Sequence, residues 1–312
     1  MIRRAIMILS VVAFCGGLAC AAHNRPLAER ILPTSDGVRI REWIYLSGGL
    51  KVKGLLFLPA GNEQRPAVVF CHDGISGISE EHRRSSIRLA KAGYVVFAPS
   101  YRGEDGSEGV VEVAKGEIDD VLNALPLVAA LPQVDGDRIA LVGASHGSLI
   151  SLFAAARSSR VKALVLAYGV ADIYRWWDHL EKTKQVGKDP VTLRTYGGGP
   201  EDRPESFEIR HGLSVADEIE VPVLILQGEK DAIVPPEQGR ILKKELERHG
   251  VSVTLKTYPD ALHGFLVYAP YLDDASAAEK KQTEDAWDET LDFLETHLGD
   301  GAGESASPAP SP

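Results

Sequence analysis

The stretch that decides the fold is RIALVGASHG, at residues 138–147. It begins with a continuous apolar run, which is typical of a strand buried on both faces. An apolar helix is expected to follow, from His146 to Ala156. Ser145 therefore lies in a turn between strand and helix, with Gly143 and Gly147 on either side. A G-x-S-x-G sequence in this position is typical of a serine nucleophile presented at a sharp turn, beside the N–H groups of a helix N-terminus.

A serine hydroxyl becomes nucleophilic when a base takes its proton, and an acid must orient that base. His263 follows the last apolar run of the chain and Asp231 follows the run before it, so we expect His263 to be the base and Asp231 the acid for Ser145. Asp260 and Glu229 are the alternatives for the acid. Asp260 lies three residues before the histidine, which suits a turn, and Glu229 comes directly off its strand.

The order Ser, Asp, His along the chain differs from the orders in chymotrypsin-like and subtilisin-like enzymes and points to the α/β-hydrolase arrangement. Such a site needs two backbone N–H groups to hold the oxyanion. We expect one from His146 and the other from Gly74, in the loop after the run at 67–71, with Asp73 as the alternative. The ring of His72 is expected to brace this loop by hydrogen bonds.

Outside this stretch, short apolar runs alternate with amphipathic segments. An antiparallel hairpin is predicted at 38–58, with its turn at 47–49. The later strands are predicted at 67–71, 94–98, 138–142, 163–167, 221–227 and 251–258, and the helices at 80–92, 111–131, 146–156, 236–249 and 276–298. This alternation predicts an α/β fold with a doubly wound, mostly parallel sheet after the hairpin.

Residues 171–219 break the alternation with aromatic and Gly-Pro-rich sequence. We expect a small insertion over the carboxyl ends of the strands, where α/β enzymes bind ligands. Trp176 and Trp177 either close an apolar acyl pocket or pack on the sheet, and the sequence leaves both open. Asp172 and Asp178 are candidates for an amine-binding site, as a peptidase would need.

Length and composition narrow the classes of protein. The chain has 312 residues, of which 44% are apolar and 25% charged, and this predicts one globular domain at 27–298. The formal charge of −10 disfavours nucleic acid as a partner. Three cysteines provide neither a disulfide framework nor a structural zinc site, and we expect Cys71 to be buried in a strand. Dinucleotide, P-loop and zinc-protease motifs are absent from the sequence, so we expect no cofactor or metal.

Both ends of the chain differ from the middle. Residues 1–22 have the basic start, short apolar run and small-residue end of a signal peptide, which predicts export to the periplasm or the medium. Cys20 offers an alternative end point, as the acylated residue of a lipoprotein. Loss of Arg3 and Arg4 with the signal leaves 32 bases against 44 acids, a charge of −12. Residues 299–312 are predicted to be a disordered tail.

From Val38 to Leu298 the chain resembles the dienelactone-hydrolase and prolyl-oligopeptidase-like branch of the α/β-hydrolases. The resemblance is carried by residues 72–74, 99–103, 134–139, 143–147 and 222–228, by Asp231 and Val234-Pro235, and by 263–265. It implies a catalytic triad of Ser145, Asp231 and His263, with the backbone of Gly74 and His146 as oxyanion donors. Typical dienelactone hydrolases carry cysteine as the nucleophile, and the large oligopeptidases carry a propeller for which this chain has no room.

We therefore expect a serine hydrolase that cleaves a carboxylic ester or a related acyl bond through an acyl-enzyme. One alternative is a serine peptidase acting on short peptides or aminoacyl amides. Another is a catalytically silent module that only binds. The expected partner is a small ester or a short peptide, and a membrane is expected only through a lipid on Cys20.

Overall fold

One mixed sheet organises the chain in the computed structural model, which describes residues 25–300. Its strands are β1 (Ala28–Ser35), β2 (Val38–Ser47), β3 (Leu50–Leu58), β4 (Arg65–Cys71), β5 (Val95–Pro99), β6 (Val134–Ala144), β7 (Val161–Ala167), β8 (Val223–Gly228) and β9 (Val253–Tyr258). They lie in the order β1-β2-β3-β5-β4-β6-β7-β8-β9. Strands β4 to β9 pair in parallel, and β1, β2 and β3 pair antiparallel. The predicted α/β fold is confirmed.

Helices cover both faces of this sheet. They are α1 (Glu80–Lys91), α2 (Gly116–Ala129), α3 (His146–Ala156), α4 (Ile173–Lys182), α5 (Pro190–Tyr196), α6 (Pro204–Glu208), α7 (Glu237–Arg248), α8 (Phe265–Tyr268) and α9 (Ala277–Leu298), with short 3-10 turns at Gly212–Glu218 and Ala269–Tyr271. Helices α2, α3 and α7 pack on one face and α1 and α9 on the other. Alternate residues of each central strand point into opposite layers; Leu141 faces α2 and α3, and Val142 faces α9.

The N-terminal hairpin forms as predicted, and a further strand lies outside it. Gly48 and Gly49 make the turn between β2 and β3, and both have positive φ, which suits a two-residue hairpin turn. Strand β1 pairs with β2 at the sheet edge and was not predicted. Nearly all its residues are exposed and it contains Pro33, so it lacks the apolar alternation that reveals a strand.

The predicted start of the second helix, in the segment 111–131, is wrong. Helix α2 begins only at Gly116, because the preceding residues form a tight turn in which Val113 and Ala114 have positive φ. The buried carboxylate of Glu117 accepts three backbone N–H groups of this turn and so holds it. The apolar residues Val111, Val113 and Ala114 resemble a helix start in the sequence, but the side chain of Glu117, further along the chain, determines the local backbone.

The insertion at 171–219 contains α4, α5 and α6 and lies between β7 and β8. Its own small core is aromatic: Trp177 stacks on Tyr196 with ring centroids 5.8 Å apart, and Phe207 meets both rings edge-on. These rings and Ile173 form a cluster apart from the two layers on the sheet. The insertion is therefore packed as a unit above the carboxyl ends of the strands.

The predicted signal segment, including Cys20, lies outside the described residues, and so do residues 301–312 of the predicted tail. Of that tail, Gly299 and Asp300 are described, and the Asp300 carboxylate accepts a hydrogen bond from Arg138 at 2.5 Å. Between residues 25 and 300 we find no helix with both the length and the apolar character needed to cross a membrane.

Candidate active site

The turn that presents Ser145 is tight on every side. Ser145 has φ 48° and ψ −113°, a strained combination for a residue with a side chain, and its N–H donates to the carbonyl of Ala167 at 2.9 Å. A Cβ atom at Gly143 would lie 2.4 Å from the carbonyl oxygen of Gly147, and one at Gly147 would lie 2.0 Å from that of Cys71. Both glycines of the motif are therefore required by close backbone contact.

Ser145, His263 and Asp231 form a chain of two hydrogen bonds. The Oγ of Ser145 lies 2.9 Å from Nε2 of His263, and Nδ1 of His263 lies 2.8 Å from Oδ2 of Asp231. Because the carboxylate only accepts, Nδ1 carries the proton and Nε2 is left to accept from the serine. The second carboxylate oxygen accepts the N–H groups of Ile233 at 2.9 Å and Val234 at 2.8 Å, which fixes its orientation.

The two alternative acids are engaged elsewhere. Asp260 forms an ion pair with Lys230 at 2.7 Å, on the surface, and this contact, followed by a hydrogen bond from Gln282, lowers the pKa of the carboxyl. Glu229 pairs with Arg240 at 2.5 Å. Of the three acids near the histidine, Asp231 is the one that the structure brings to it.

Tyr168 supports the histidine and was missed in the sequence. Its buried ring meets the imidazole of His263 edge-on, with centroids 5.0 Å apart, and its N–H donates to Leu226 at 2.8 Å. Tyr168 also has positive φ, directly after β7. Burial raises the pKa of the phenol well above its ordinary value, so the ring stays neutral. Its place right after a buried strand was the available signal, since residues at carboxyl ends of parallel strands meet at the site.

Gly74 and His146, the predicted oxyanion donors, contact each other, and both line the cavity beside Ser145. Ring atom Nδ1 of His146 is 2.9 Å from the carbonyl oxygen of Gly74. His146 is the first residue of α3, where N–H groups have no acceptor within the helix. Gly74 has φ 67° in the loop after β4, and no protein acceptor among residues 25–300 takes its N–H. Its Cβ position is open, so the glycine leaves room for a substrate at this point.

Buried polar groups brace this loop from behind. Asp73 accepts hydrogen bonds from Nε2 of His82, at 2.8 Å, and from the hydroxyl of Tyr268. Burial by itself raises the pKa of Asp73, but the bonds from His82 and Tyr268 outweigh it and hold the pKa below the ordinary value. His72 donates through Nδ1 to the Asp73 carbonyl at 2.8 Å, which agrees with its predicted bracing role. His82 and Tyr268 were missed, because each comes from a helix far along the sequence.

The imidazole of His72 also faces a buried acid. Its Nε2 lies 3.2 Å from Glu104. Burial lowers the pKa of His72, but the contact with Glu104 outweighs burial and raises it above the ordinary value. Two acid–histidine contacts therefore hold neighbouring residues of this loop. One joins Asp73 to His82, and the other joins His72 to Glu104.

A cavity of about 160 Å³ opens beside Ser145. Its lining is mostly apolar: Gly74, Ile75, Val113, Ser145, His146, Leu149, Val170, Ile173, Trp176, Asp189, Thr192, Tyr196, Ile233 and Val234. Trp176 therefore forms part of the wall, whereas Trp177 packs inside the insertion. The acid in the lining is Asp189, which caps α5. Asp172 caps α4 and Asp178 is exposed, and neither of them lines the cavity.

Larger surface depressions lie away from these residues. One of about 820 Å³ surrounds Lys162 and Glu220, at the opposite end of β7, and contains none of the predicted site residues. In the part of the chain that the structure describes, we find no group of three or more His, Cys, Asp or Glu side chains placed to hold a metal ion.

Comparison with known proteins identifies relatives over most of the chain. The sequence profile of the dienelactone hydrolase family matches residues 52–298. An uncharacterized peptidase of Bacillus subtilis, YtmA, is 31% identical over 238 residues, which cover 76% of this chain and 91% of the relative.

Two solved structures illustrate the likeness in fold. Acylaminoacyl peptidase from Pyrococcus horikoshii superposes with a TM-score of 0.70 and 19% identity, over 85% of this chain and 43% of that one. Acetyl xylan esterase 1 from Thermoanaerobacterium sp. JW/SL YS485 superposes with a TM-score of 0.63 and 18% identity, over 86% of this chain and 87% of the esterase. This chain spans less than half of the peptidase and nearly the whole of the esterase.

Proposed function

Because the chain belongs to the dienelactone hydrolase family of α/β-hydrolases, we propose that it is a serine hydrolase that cleaves a carboxylic ester through an acyl-enzyme. The observation that carries the proposal is the pair of hydrogen bonds from Ser145 to His263 and from His263 to Asp231, at 2.9 and 2.8 Å. This geometry lets one proton leave the serine as its oxygen attacks.

In the first half of the reaction, Oγ of Ser145 attacks the acyl carbon while its proton moves to Nε2 of His263. Asp231 stabilises the imidazolium that results. The carbonyl oxygen becomes an oxyanion and accepts hydrogen bonds from the N–H groups of Gly74 and His146. When the tetrahedral intermediate collapses, the bond to the leaving oxygen breaks and the imidazolium gives its proton to the departing alcohol.

The second half repeats these steps with water. Nε2 of His263 takes a proton from water, whose oxygen attacks the acyl-enzyme, and the same two N–H groups hold the second oxyanion. Collapse then breaks the acyl bond to Ser145, which regains its proton from the imidazolium. The products are a carboxylic acid and an alcohol, and no cofactor takes part.

The cavity favours a compact acyl group. A cavity of about 150 Å³ lined with apolar side chains holds one benzene molecule, and the cavity beside Ser145 is about the same size. Trp176 and Tyr196 form walls from the insertion, and Ile233 forms a wall from the loop that carries the acid. A branched or aromatic acyl group of modest size fits this space, whereas a long alkyl chain would have to leave through the opening.

A peptidase acting on short peptides is the second candidate. It is favoured by the name of the Bacillus subtilis relative and by the carboxylate of Asp189 in the cavity lining. That carboxylate already accepts from the N–H of Val191 and from the hydroxyl of Thr192 at the start of α5. An ester remains the first proposal because neither acid expected to bind an amine, Asp172 or Asp178, lines the cavity.

The nucleophile is tested with a fluorophosphonate, which modifies an activated serine. We expect one label per chain, located on Ser145 by peptide mass, and none in Ser145→Ala. Turnover by Ser145→Ala should fall by up to about 10⁶-fold if the triad works as a unit. A folded wild-type protein that neither reacts nor turns over a panel of esters would instead be a silent binding module.

The bond cleaved is tested by comparing acyl esters with aminoacyl amides that share the same acyl group. We expect esters to be hydrolysed with the higher kcat/KM. Turnover of the amides alone would make the protein a peptidase and would leave the roles of Ser145 and His263 in place.

We also propose that the protein is exported, on the pattern of residues 1–22. Expression of the full chain in a bacterial host, followed by fractionation and intact mass, tests this. We expect a product without the first twenty or so residues, or a lipid-modified chain that begins at Cys20; Cys20→Ser separates the two. A full-length chain in the cytosol would contradict export.

A further inference from the structure

We propose that the ring of His146 is a positioning group that holds Gly74, and with it the second oxyanion donor, in place beside Ser145. The inference rests on the proposed function, because it assigns a role within the same site. His146 then acts twice: its backbone N–H is one donor, and its imidazole fixes the residue that supplies the other.

The ring bridges two backbone groups from different loops. Nδ1 lies 2.9 Å from the carbonyl oxygen of Gly74, and Nε2 lies 2.9 Å from the backbone nitrogen of Ala114. A carbonyl accepts and an N–H donates, so one neutral tautomer satisfies both contacts, with the proton on Nδ1. Rotation of the ring by 180° would break both contacts, so the hydrogen bonds at the two ring nitrogens fix the orientation of the imidazole.

Gly74 is the residue in the site that most needs such a contact. It has φ 67° in a loop without regular structure, and glycine itself allows many backbone conformations. Asp73, just before it, is held from behind by His82 and Tyr268. The contact from His146 holds the peptide group that follows Gly74, so the residue is fixed on both sides and its N–H keeps one direction.

The other end of the bridge is firmly anchored. Ala114 and Val113 both have positive φ, which is unusual for a residue with a branched side chain such as Val113. The buried guanidinium of Arg210 donates to the Val113 carbonyl at 2.5 Å, and the carboxylate of Glu117 accepts the Val113 N–H at 3.0 Å. A strained turn persists only when its surroundings hold it, and this one gives His146 a rigid support.

This arrangement places both donors under the control of one side chain. Because the backbone of His146 starts α3 next to Ser145, any movement of Gly74 relative to the nucleophile must break the contact to the ring. An oxyanion donor stabilises the transition state much more than it stabilises the bound substrate. Its displacement therefore raises the activation barrier and hardly weakens substrate binding. Loss of the ring should therefore lower kcat and leave KM nearly unchanged.

The experiment compares His146→Phe, His146→Asn and His146→Gln with wild type. Phenylalanine keeps the shape and removes both contacts. The amide N–H of asparagine can take the place of Nδ1 and donate to Gly74, whereas the amide oxygen of glutamine can take the place of Nε2 and accept from the N–H of Ala114. His249→Phe is the matched control, because His249 is exposed at the end of α7, away from the site.

Three quantities are measured: kcat and KM on a good ester, and Ki for a trifluoromethyl ketone, which forms a tetrahedral adduct with the serine. We expect His146→Phe to lower kcat by about 10²-fold, to change KM by less than about threefold, and to raise Ki in parallel with the loss of kcat. His146→Asn should retain more kcat than His146→Gln, and His249→Phe should match wild type.

A His146→Phe variant with wild-type kcat and Ki would overturn the inference, and so would a His146→Gln variant at least as active as His146→Asn. If the phenylalanine variant does not fold, the comparison of the two amides decides. Fluorophosphonate labelling of the wild type distinguishes failure of the proposed ring role from failure of the proposed function. Labelled wild type with an unaffected His146→Phe refutes only the role of the ring, and unlabelled wild type refutes the proposed function together with it.

Discussion

A Cβ atom on Gly147 would lie 2.0 Å from the carbonyl oxygen of Cys71, so helix α3 begins in direct contact with the end of β4. This contact brings the turn that carries Ser145 against the strand from which the loop of Gly74 emerges. It fixes the separation of the two groups whose N–H bonds are proposed to hold the oxyanion.

Replacement of Gly147 by alanine should damage both stability and reactivity. Neither β4 nor α3 can withdraw without disturbing the sheet, and overpacking of this kind costs typically up to about 3 kcal/mol. We expect the free energy of unfolding in urea to fall by about that amount and fluorophosphonate labelling of Ser145 to slow. Gly250→Ala is the control: Gly250 has positive φ and open space around its Cβ position, so only about 1 kcal/mol of backbone strain is expected.

Asp231→Asn should leave the fold intact and lower kcat by about 10⁴-fold. Asparagine can still accept the N–H groups of Ile233 and Val234 through its oxygen, but its NH₂ group can then favour the wrong tautomer of His263. Asp260→Asn and Glu229→Gln are matched controls, since both acids are paired on the surface. Steady-state kinetics decide the assignment, and a loss confined to Asp260→Asn would transfer the role of the acid to that residue.

Trp176→Ala should change the preference for acyl chain length. Its ring forms a wall of the cavity, and its indole N–H donates to the carbonyl of Ile233 at 3.0 Å. Removal of the ring lengthens the cavity, and each methylene that is newly accepted is worth roughly tenfold or more in kcat/KM. A series of acyl esters measures the shift. Trp177→Phe, inside the insertion, should keep the wild-type profile; the same profile in Trp176→Ala would remove Trp176 from the acyl site.

Cys71 should be inert toward thiol reagents in the folded protein. Burial raises the pKa of its thiol to about 11, so at pH 8 the group is neutral as well as inaccessible. We expect iodoacetamide to leave Cys71 unmodified and hydrolysis unaffected, and to modify it fully in urea, as peptide mass would show. Modification of Cys71 in the native protein would show that the thiol is accessible and would contradict its burial.

Asp73 should make stability depend on pH in the acid range. Its pKa in the folded protein lies below 3.8, the ordinary value. An acid with a lowered pKa stabilises the fold at any pH above the pKa in the unfolded chain, and this contribution is lost as pH falls through the folded value. The stabilising contribution of the Asp73 carboxylate, measured as the difference in unfolding free energy between wild type and Asp73→Asn, should therefore shrink as the pH falls below about 4. A difference that grows as the pH falls below about 4 would mean that Asp73 is not the ionised partner of His82 and Tyr268.

The sequence predicted much of the fold because buried parallel strands leave continuous apolar runs and surface helices leave periodic ones. The central strands and the hairpin turn at Gly48 and Gly49 were located in this way. Strand β1 was missed because both its faces are exposed. The start of α2 was placed too early, because the carboxylate of Glu117 rather than the local residues sets the backbone at 112–115.

The sequence by itself determined the fold class and predicted the residues of the candidate site: Ser145 between two glycines, then Asp231 and His263 at the ends of later strands. These are local patterns, and the residues come together because the carboxyl ends of parallel strands lie at the same edge of the sheet. Tertiary structure alone decided which acid faces the histidine, that Tyr168, His82 and Tyr268 support the site, and that Trp176 rather than Trp177 lines the cavity. Those outcomes depend on contacts between residues distant in sequence, such as the 2.9 Å contacts of the His146 ring with Gly74 and Ala114, which no local pattern encodes.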